Sequence, residues 1–363
     1  MRTFGNAAAR KAWIYAKTEA PFSDAATKLA LPASGGQIMK IFRRRFLQLA
    51  AGAAALPVAS RWAWAQAYPA RPVHLIVGFA AGGPQDITMR LMCQWLSERL
   101  GQSFIVENRP GASGNVGAET VVRAAPDGYT LLSVSSPNAI NATLYSNLNF
   151  NFIRDIAPVG SIMRVPLVME VNPEVPVKTV PELIAYMKAN PGKISYASAG
   201  IGTPQHVSAE LFKMMTGVEM VQVPYRGAAP ALQDLIAGQV QIMIDTSPAS
   251  MQFIKAGKVR ALAVTTATRA AVLPDLPTVA DFLPGYEATS WFGIGAPAKT
   301  PPDIIEKLNK EINAGLADPK IKARLMELGG ILIPGSPADF GKLIATDTEK
   351  WAKVIKFSGA KPG

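Results

Sequence analysis

From Val73 onward, short apolar runs alternate with stretches in which apolar residues recur three and four positions apart. Runs of four to eight residues bounded by glycine or proline read as buried strands, and the three-and-four spacing reads as helices packed on them. The alternation predicts an α/β fold with a largely parallel sheet. The clearest unit starts at residues 73–79, an apolar run behind Pro72. Ala80-Ala81-Gly82-Gly83-Pro84 follows as a turn, and Ile87, Leu91 and Trp95 then mark a helix. Further strands are expected over 103–108, 129–135, 194–198, 220–225, 241–245 and 259–266. Helices are expected over 116–125, from 136, over 181–190, from 204 through 215, over 228–237 and from 247. Two short runs, 159–163 and 167–171, are separated by Pro166 and read as a first crossover between lobes, with 289–297 as the return. Three helices, 302–316, 319–328 and 337–357, complete the chain.

Charge changes the picture only at the amino end. Of 37 Lys/Arg and 26 Asp/Glu, ten and two fall in residues 1–65, which leaves 27 and 24 from Gln66 onward. The body is near neutral and shows no Lys/Arg cluster, so the basic face that nucleic-acid binding needs is not expected. Arg43-Arg44-Arg45-Phe46-Leu47 precedes an apolar stretch too short to span a bilayer. Small-residue patterns follow at Ala63-Trp64-Ala65 and Ala65-Gln66-Ala67. Residues 39–67 therefore read as an export signal, of the twin-arginine type or the general secretory type. Residues 1–38 fit no part of a signal and read as a segment upstream of a true start at Met39. The expected mature protein begins near Gln66 or Tyr68. Lobe 1 is assigned to 68–166 plus 292–363, and lobe 2 to 167–291.

One arrangement recurs five times: an apolar strand, a small or hydroxyl residue, a proline, and a helix. It occurs at Gly83-Pro84, Ser136-Pro137, Thr203-Pro204, Tyr225 to Pro230, and Ser247-Pro248. Each instance alone is good helix capping. In open α/β sheets, however, ligands bind beyond the carboxyl ends of strands, where all five lie. Helix starts offer free N–H groups and a positive dipole end, so a cleft lined by several of them suits an anion such as a carboxylate.

Five segments carry a family resemblance: Phe79 to Asp86, Val106 to Asn115, Pro126 to Leu131, Tyr196 to His206, and Pro224 to Gly227. In order and spacing they resemble the Bug family, the substrate-binding proteins of tripartite tricarboxylate transporters. The resemblance implies a two-lobed periplasmic-binding-protein fold of type II with the ligand cleft between the lobes. It implies a small carboxylate as ligand: a dicarboxylate, a tricarboxylate, an acidic amino acid or an aromatic acid. It also implies the membrane components of such a transporter as partners. The loops at Phe79–Asp86 and Gly200–His206 would grip the carboxylate through Phe79, Ala81, Gly82, Gly83, Asp86, Gly200, Thr203 and His206. Ser136, Asn138, Tyr225, Arg226 and Asp245 would line the cleft by position. Where the family commonly has Ser-Asn-Gly, this chain has Ser198-Ala199-Gly200, one polar side chain fewer.

Read without the resemblance, several of these residues keep two explanations. Asp86 either meets ligand or complements the helix dipole. His206 either caps its helix or touches ligand. Arg226 either pairs with a carboxylate in fork geometry or is a solvated loop residue. His74 is expected to pack within the first strand, and Cys93 to be a small core residue. Neither histidine has metal-ligand spacing, and no Gly-x-Ser-x-Gly elbow occurs. No catalytic residue, metal or cofactor is expected, and the protein should be a monomer. The alternatives are a ligand-presenting sensor for a signalling receptor or, with less support, a secreted α/β enzyme. Replacing Arg43 and Arg44 by Lys should abolish export by the twin-arginine route. Unchanged export, followed by amino-terminal sequencing of the exported protein, would assign the general route.

Overall fold

A computed structural model describes residues 68–362. The expected upstream segment and export signal lie outside the described residues. In chain order the elements are β1 (Val73–Val77), α1 (Pro84–Leu100), β2 (Phe104–Asn108), α2 (Asn115–Val122), β3 (Thr130–Ser135), α3 (Ser136–Leu144) and α4 (Phe152–Asp155). Next come β4 (Ile156–Val171), α5 (Val180–Ala189), β5 (Ser195–Ser198), α6 (Pro204–Thr216), β6 (Val221–Pro224), α7 (Ala228–Ile236), β7 (Ile242–Thr246) and α8 (Ser247–Lys255). The chain ends with β8 (Arg260–Val264), β9 (Thr289–Pro297), α9 (Pro302–Ala317), α10 (Pro319–Glu327), β10 (Ile331–Leu332) and α11 (Pro337–Ser358).

The strands form one mixed sheet in the order β2-β1-β3-β9-β4-β7-β5-β6, with β10 and β8 also pairing with β4. The β1, β2 and β3 pairings are parallel, as are those among β5, β6 and β7. The two parallel groups are joined through β9 and β4, which run antiparallel to their neighbours. β4 changes partner part-way along. From Ile156 to Pro166 it pairs with β9, and from Leu167 to Val171 it pairs with β7.

The two apolar runs read around Pro166 are thus one 16-residue strand. Proline normally interrupts a strand because it donates nothing to the ladder. Pro166 is tolerated because it stands where one ladder ends and the next begins. Pro158 stands at a register shift against β9, another place where pairing is already irregular.

The first helix turns to the core a different set of apolar residues from the three that mark it in the sequence. Its core face is Met89, Met92, Cys93 and Leu96, all buried, whereas Ile87, Leu91 and Trp95 are half-buried beside it. Both sets repeat at helical spacing, and the apolar periodicity does not rank them. Trp95 sits at the margin because its indole N–H donates to the Glu311 carbonyl at 2.8 Å. Burial pushes the Cys93 thiol up to about 12, as a core residue requires. His74 is not packed inside β1. Its side chain is half-exposed, and Nδ1 lies 2.5 Å from Glu107 Oε1 on β2.

The larger core closes around β9 and the last helix. Trp291 is buried, stands edge-on to Phe340 at 5.6 Å, and donates its indole N–H to Asp347 at 2.5 Å. Its backbone N–H is taken by the Ser136 hydroxyl at 2.9 Å. α11 packs on α3, β4 and α6, so it touches helices that follow strands of both parallel groups. The buried face of α1 has a measurable consequence. Met92→Ala should lower unfolding free energy by about 2–5 kcal/mol, the usual range for truncating a fully buried side chain. Leu91→Ala should cost less than half as much by denaturant unfolding.

Candidate functional site

At the carboxyl ends of the parallel strands lies an open cavity of about 810 Å³. All five strand-to-helix turns reach it. α1 contributes Gly83 and Pro84, α3 contributes Ser135 and Pro137, and α6 contributes Thr203 to Gln205. α7 contributes Gly227 and Ala229, and α8 contributes Thr246. Phe79, Phe292 and several alanines make most of the remaining wall apolar.

The five helix starts are not equivalent. At α3, Asn138 Oδ1 accepts the Ser135 N–H at 2.9 Å. At α6, Thr203 Oγ1 accepts the His206 N–H at 3.3 Å and donates to the Gly200 carbonyl at 2.7 Å. The starts of α1, α7 and α8, at Gly83, Gly227 and Thr246, have no side-chain cap. Every helix start leaves N–H groups without intrahelical partners. Three such ends therefore meet the cavity without a cap from the side chain of their N-cap residue, although the Thr246 N–H at α8 is taken by Asp245 Oδ1 at 2.7 Å, and their dipoles add positive potential there.

The first turn is held from behind. Gly82 adopts φ 82°, a left-handed conformation that glycine takes without strain. Its N–H donates to Asp86 Oδ2 at 2.9 Å. Arg90 Nε donates to the same oxygen at 2.9 Å, and Asn108 Nδ2 to the other at 2.9 Å. Burial alone would raise the Asp86 carboxyl; the Arg90, Gly82 and Asn108 donors outweigh it and hold the group below its ordinary value. Asp86 is thus an ionised acceptor that shapes the loop.

Of the expected site residues, Phe79, Ala81, Gly82, Gly83, Asp86, Thr203 and Arg226 line the cavity. Ser136, Asn138, Gly200, His206, Tyr225 and Asp245 stand behind the wall. Ser136 accepts from Trp291, and Asn138 closes the α3 cap. His206 is buried, and Nδ1 accepts the Gly202 N–H at 3.2 Å. Burial lowers its pKa to about 4, so the ring is a neutral acceptor that fixes the Gly202 turn. The Tyr225 hydroxyl donates to Asp234 at 2.7 Å. Asp245 is buried and accepts from Gln205 Nε2 at 3.0 Å. Gln205 and Thr246 reach the cavity without having been singled out from the sequence. The helix-start pattern contained both positions, but nothing in it marked these side chains.

Asp86 and Arg226 are the charged side chains on the wall. Asp86 is committed to three donors, while Arg226 is exposed and makes no ion pair among the described residues. Among the described residues no group of three His, Cys, Asp or Glu could hold a metal ion.

Residues 88–360 match the family model described as tripartite tricarboxylate transporter family receptor. The chain belongs to this family. It is 36% identical over 300 residues to Protein BugT of Bordetella pertussis, covering 82% of this chain and 92% of that one. Among solved structures, R. palustris Rpa4515 with adipate is similar at 41% identity and TM-score 0.72, covering 82% of this chain and all of that one. MatC (Rpa3494) from Rhodopseudomonas palustris with bound malate is similar at 31% identity and TM-score 0.69, covering 79% and 100%. The two-lobed solute-binding fold follows from these likenesses.

The site geometry separates two variants. At Gly83 the backbone is extended (φ −75°), and an added Cβ would come no nearer than 3.7 Å to the Ala80 carbonyl. Gly83→Val should therefore fold, and any loss of ligand affinity in calorimetric titration reports blocked approach to the α1 start. Thr203→Ala removes a cap, so melting should show a loss of about 1 kcal/mol. Its affinity should change less than that of Gly83→Val, because the Thr203 proton is already given to Gly200.

Proposed function

We infer that this protein is an exported, non-enzymatic receptor that closes its two lobes around a small carboxylate and delivers it to the membrane components of a tripartite-type transporter. The observation that carries the reading is the cavity ringed by five helix starts, three of them uncapped by side chains. Backbone N–H groups and aligned dipoles bind an anion without a counter-ion, and so release it without breaking a strong ion pair. The relatives' bound adipate and malate support the carboxylate class. The lobes are taken as 68–166 plus 292–363 and 167–291. The partner change of β4 between Pro166 and Leu167 supports the first of these boundaries.

The ligand's first carboxylate is assigned to the α1 and α6 starts, at Gly82–Asp86 and Gly200–His206, with His206 and Asp86 shaping those turns from behind. Arg226, exposed on the wall and without an ion pair among the described residues, is assigned to a second acidic group. The apolar wall of Phe79, Phe292 and Ala229 is assigned to the carbon chain between them.

Thermal-shift screening with adipate, malate and hexanoate tests the reading. A bound acid at 100 times its Kd adds about 2.7 kcal/mol of stability. Adipate and malate should raise the melting temperature. Arg226→Gln should weaken diacid binding about tenfold or more, as loss of a hydrogen bond to a charged group does, and should leave hexanoate unaffected. Failure of every carboxylic acid to stabilise the protein, or chemical conversion of the bound acid seen by mass spectrometry, would overturn the reading.

A further inference from the structure

The turn that leads into α6 rests on α3, a helix that follows a strand of the other parallel group. Gly202 is buried there in a left-handed conformation, at φ 77°. A Cβ at this position would stand 2.5 Å from Leu144 Cδ2 and 3.7 Å from Asn141 Oδ1. Leu144 has little room to withdraw. It is buried in the larger core, together with Ile140 of α3 and Val207 and Leu211 of α6. α3 is itself tied down at two points. Ser136 Oγ accepts the Trp291 N–H of β9 at 2.9 Å. Asn141 Nδ2 donates to the Ser113 carbonyl at 2.9 Å and to Asn115 Oδ1 at 3.1 Å, in the turn before α2. A close-packed interior does not take in an extra carbon at such a contact without moving its neighbours.

We propose that Gly202 and Leu144 are positioning residues for the ligand: their contact sets how closely the α6 start stands to the α1 start, and so limits the anionic head group held between them to the size of a carboxylate. Gly202 immediately precedes Thr203, the cap of α6. Thr203, Pro204 and Gln205 of that start line the cavity, as do Gly83, Pro84 and Gln85 of the α1 start. The strands that lead to the two starts, β1 and β5, are separated in the sheet by β3, β9, β4 and β7. No ladder therefore fixes one start against the other, and the contact of Gly202 with α3 spans the two parallel groups beside the cavity. Any side chain at 202 would press on Leu144 and hold the α6 start away from α3. A carboxylate is flat, whereas a sulfonate is tetrahedral and needs a wider gap. The effect on ligand rests on the receptor reading above; the contact itself does not.

The test compares adipate with the disulfonate that carries adipate's methylene spacer, by calorimetric titration of the purified protein and of G202A, L144A, L144A/G202A and G217A. Gly217 ends the same helix at φ 69°, with nothing within 4 Å of an added Cβ. G217A thus carries the backbone strain of alanine at positive φ without the contact. G202A should lower adipate affinity by about tenfold or more, as loss of a hydrogen bond to a charged group does. It should lower disulfonate affinity less, so the ratio of the two shifts toward the sulfonate. L144A/G202A, in which Leu144 no longer meets the added Cβ, should bring the ratio back toward that of wild type, and G217A should leave it unchanged. Should G202A fail to fold, Leu144→Phe presses on the same turn from the α3 side, leaves Gly202 in place, and should shift the ratio the same way. In denaturant unfolding, the constant for L144A/G202A should fall below the product of the single effects by about threefold or more, as for other residues in contact. If wild type binds adipate, an unchanged ratio in G202A, or a shift that L144A does not relieve, would overturn the proposal and leave the receptor reading standing. No acid bound by wild type would sink the receptor reading, and with it the ligand role given to Gly202; the unfolding cycle would still report the contact.

Discussion

The structure depends on one constraint: the N–H groups at a helix start have no partner within the helix and must be satisfied outside it. Each parallel strand here hands the chain to a helix that begins at the same edge of the sheet. The ends of α1, α3, α6, α7 and α8 therefore converge on one place. Two are satisfied internally, by Asn138 and Thr203. The other three have no cap from the side chain of their N-cap residue, and only at α8 does a neighbouring side chain, Asp245, take the N-cap N–H. In the proposed receptor reading, selectivity for negative charge comes from the backbone and the topology, and side chains are free to set the ligand's shape.

A second layer of residues makes this possible. Asp86 pins Gly82, His206 pins Gly202, and Asp245 pins Gln205. Each is buried and polar, and each uses its side chain to hold a turn that the cavity needs. Replacing any of them would move backbone groups that line the cavity. Buried polar groups with a defined partner specify local geometry at a cost in burial that apolar residues would avoid.

Much of this was legible in the sequence. Proline and glycine at the turns gave away the helix starts, and short apolar runs gave the strands within a residue or two. What failed had identifiable causes. Pro166 reads as a break because a single sequence does not show that β4 changes partner there. The core face of α1 was not ranked by the pattern, because Met89, Met92 and Cys93 share the helical period with Ile87, Leu91 and Trp95. The capped and uncapped helix starts look alike in sequence, since the difference lies in where Asn138 and Thr203 point.

The placement of β9 bears on how the chain comes to be made. β9 lies between β3 and β4 in the middle of the sheet, where Leu132 pairs with Gly295 and Pro158 with the same residue on the other side. β3 and β4 leave the ribosome long before it. Until residue 297 has emerged, the centre of the sheet is open and both flanking strands expose unpaired edges, the state most open to mispairing. α11, which follows still later, seals the tryptophan at that centre. Assembly therefore ends in the middle of the molecule, and a nascent chain shortened at its carboxyl end would lack the strand that joins its two halves.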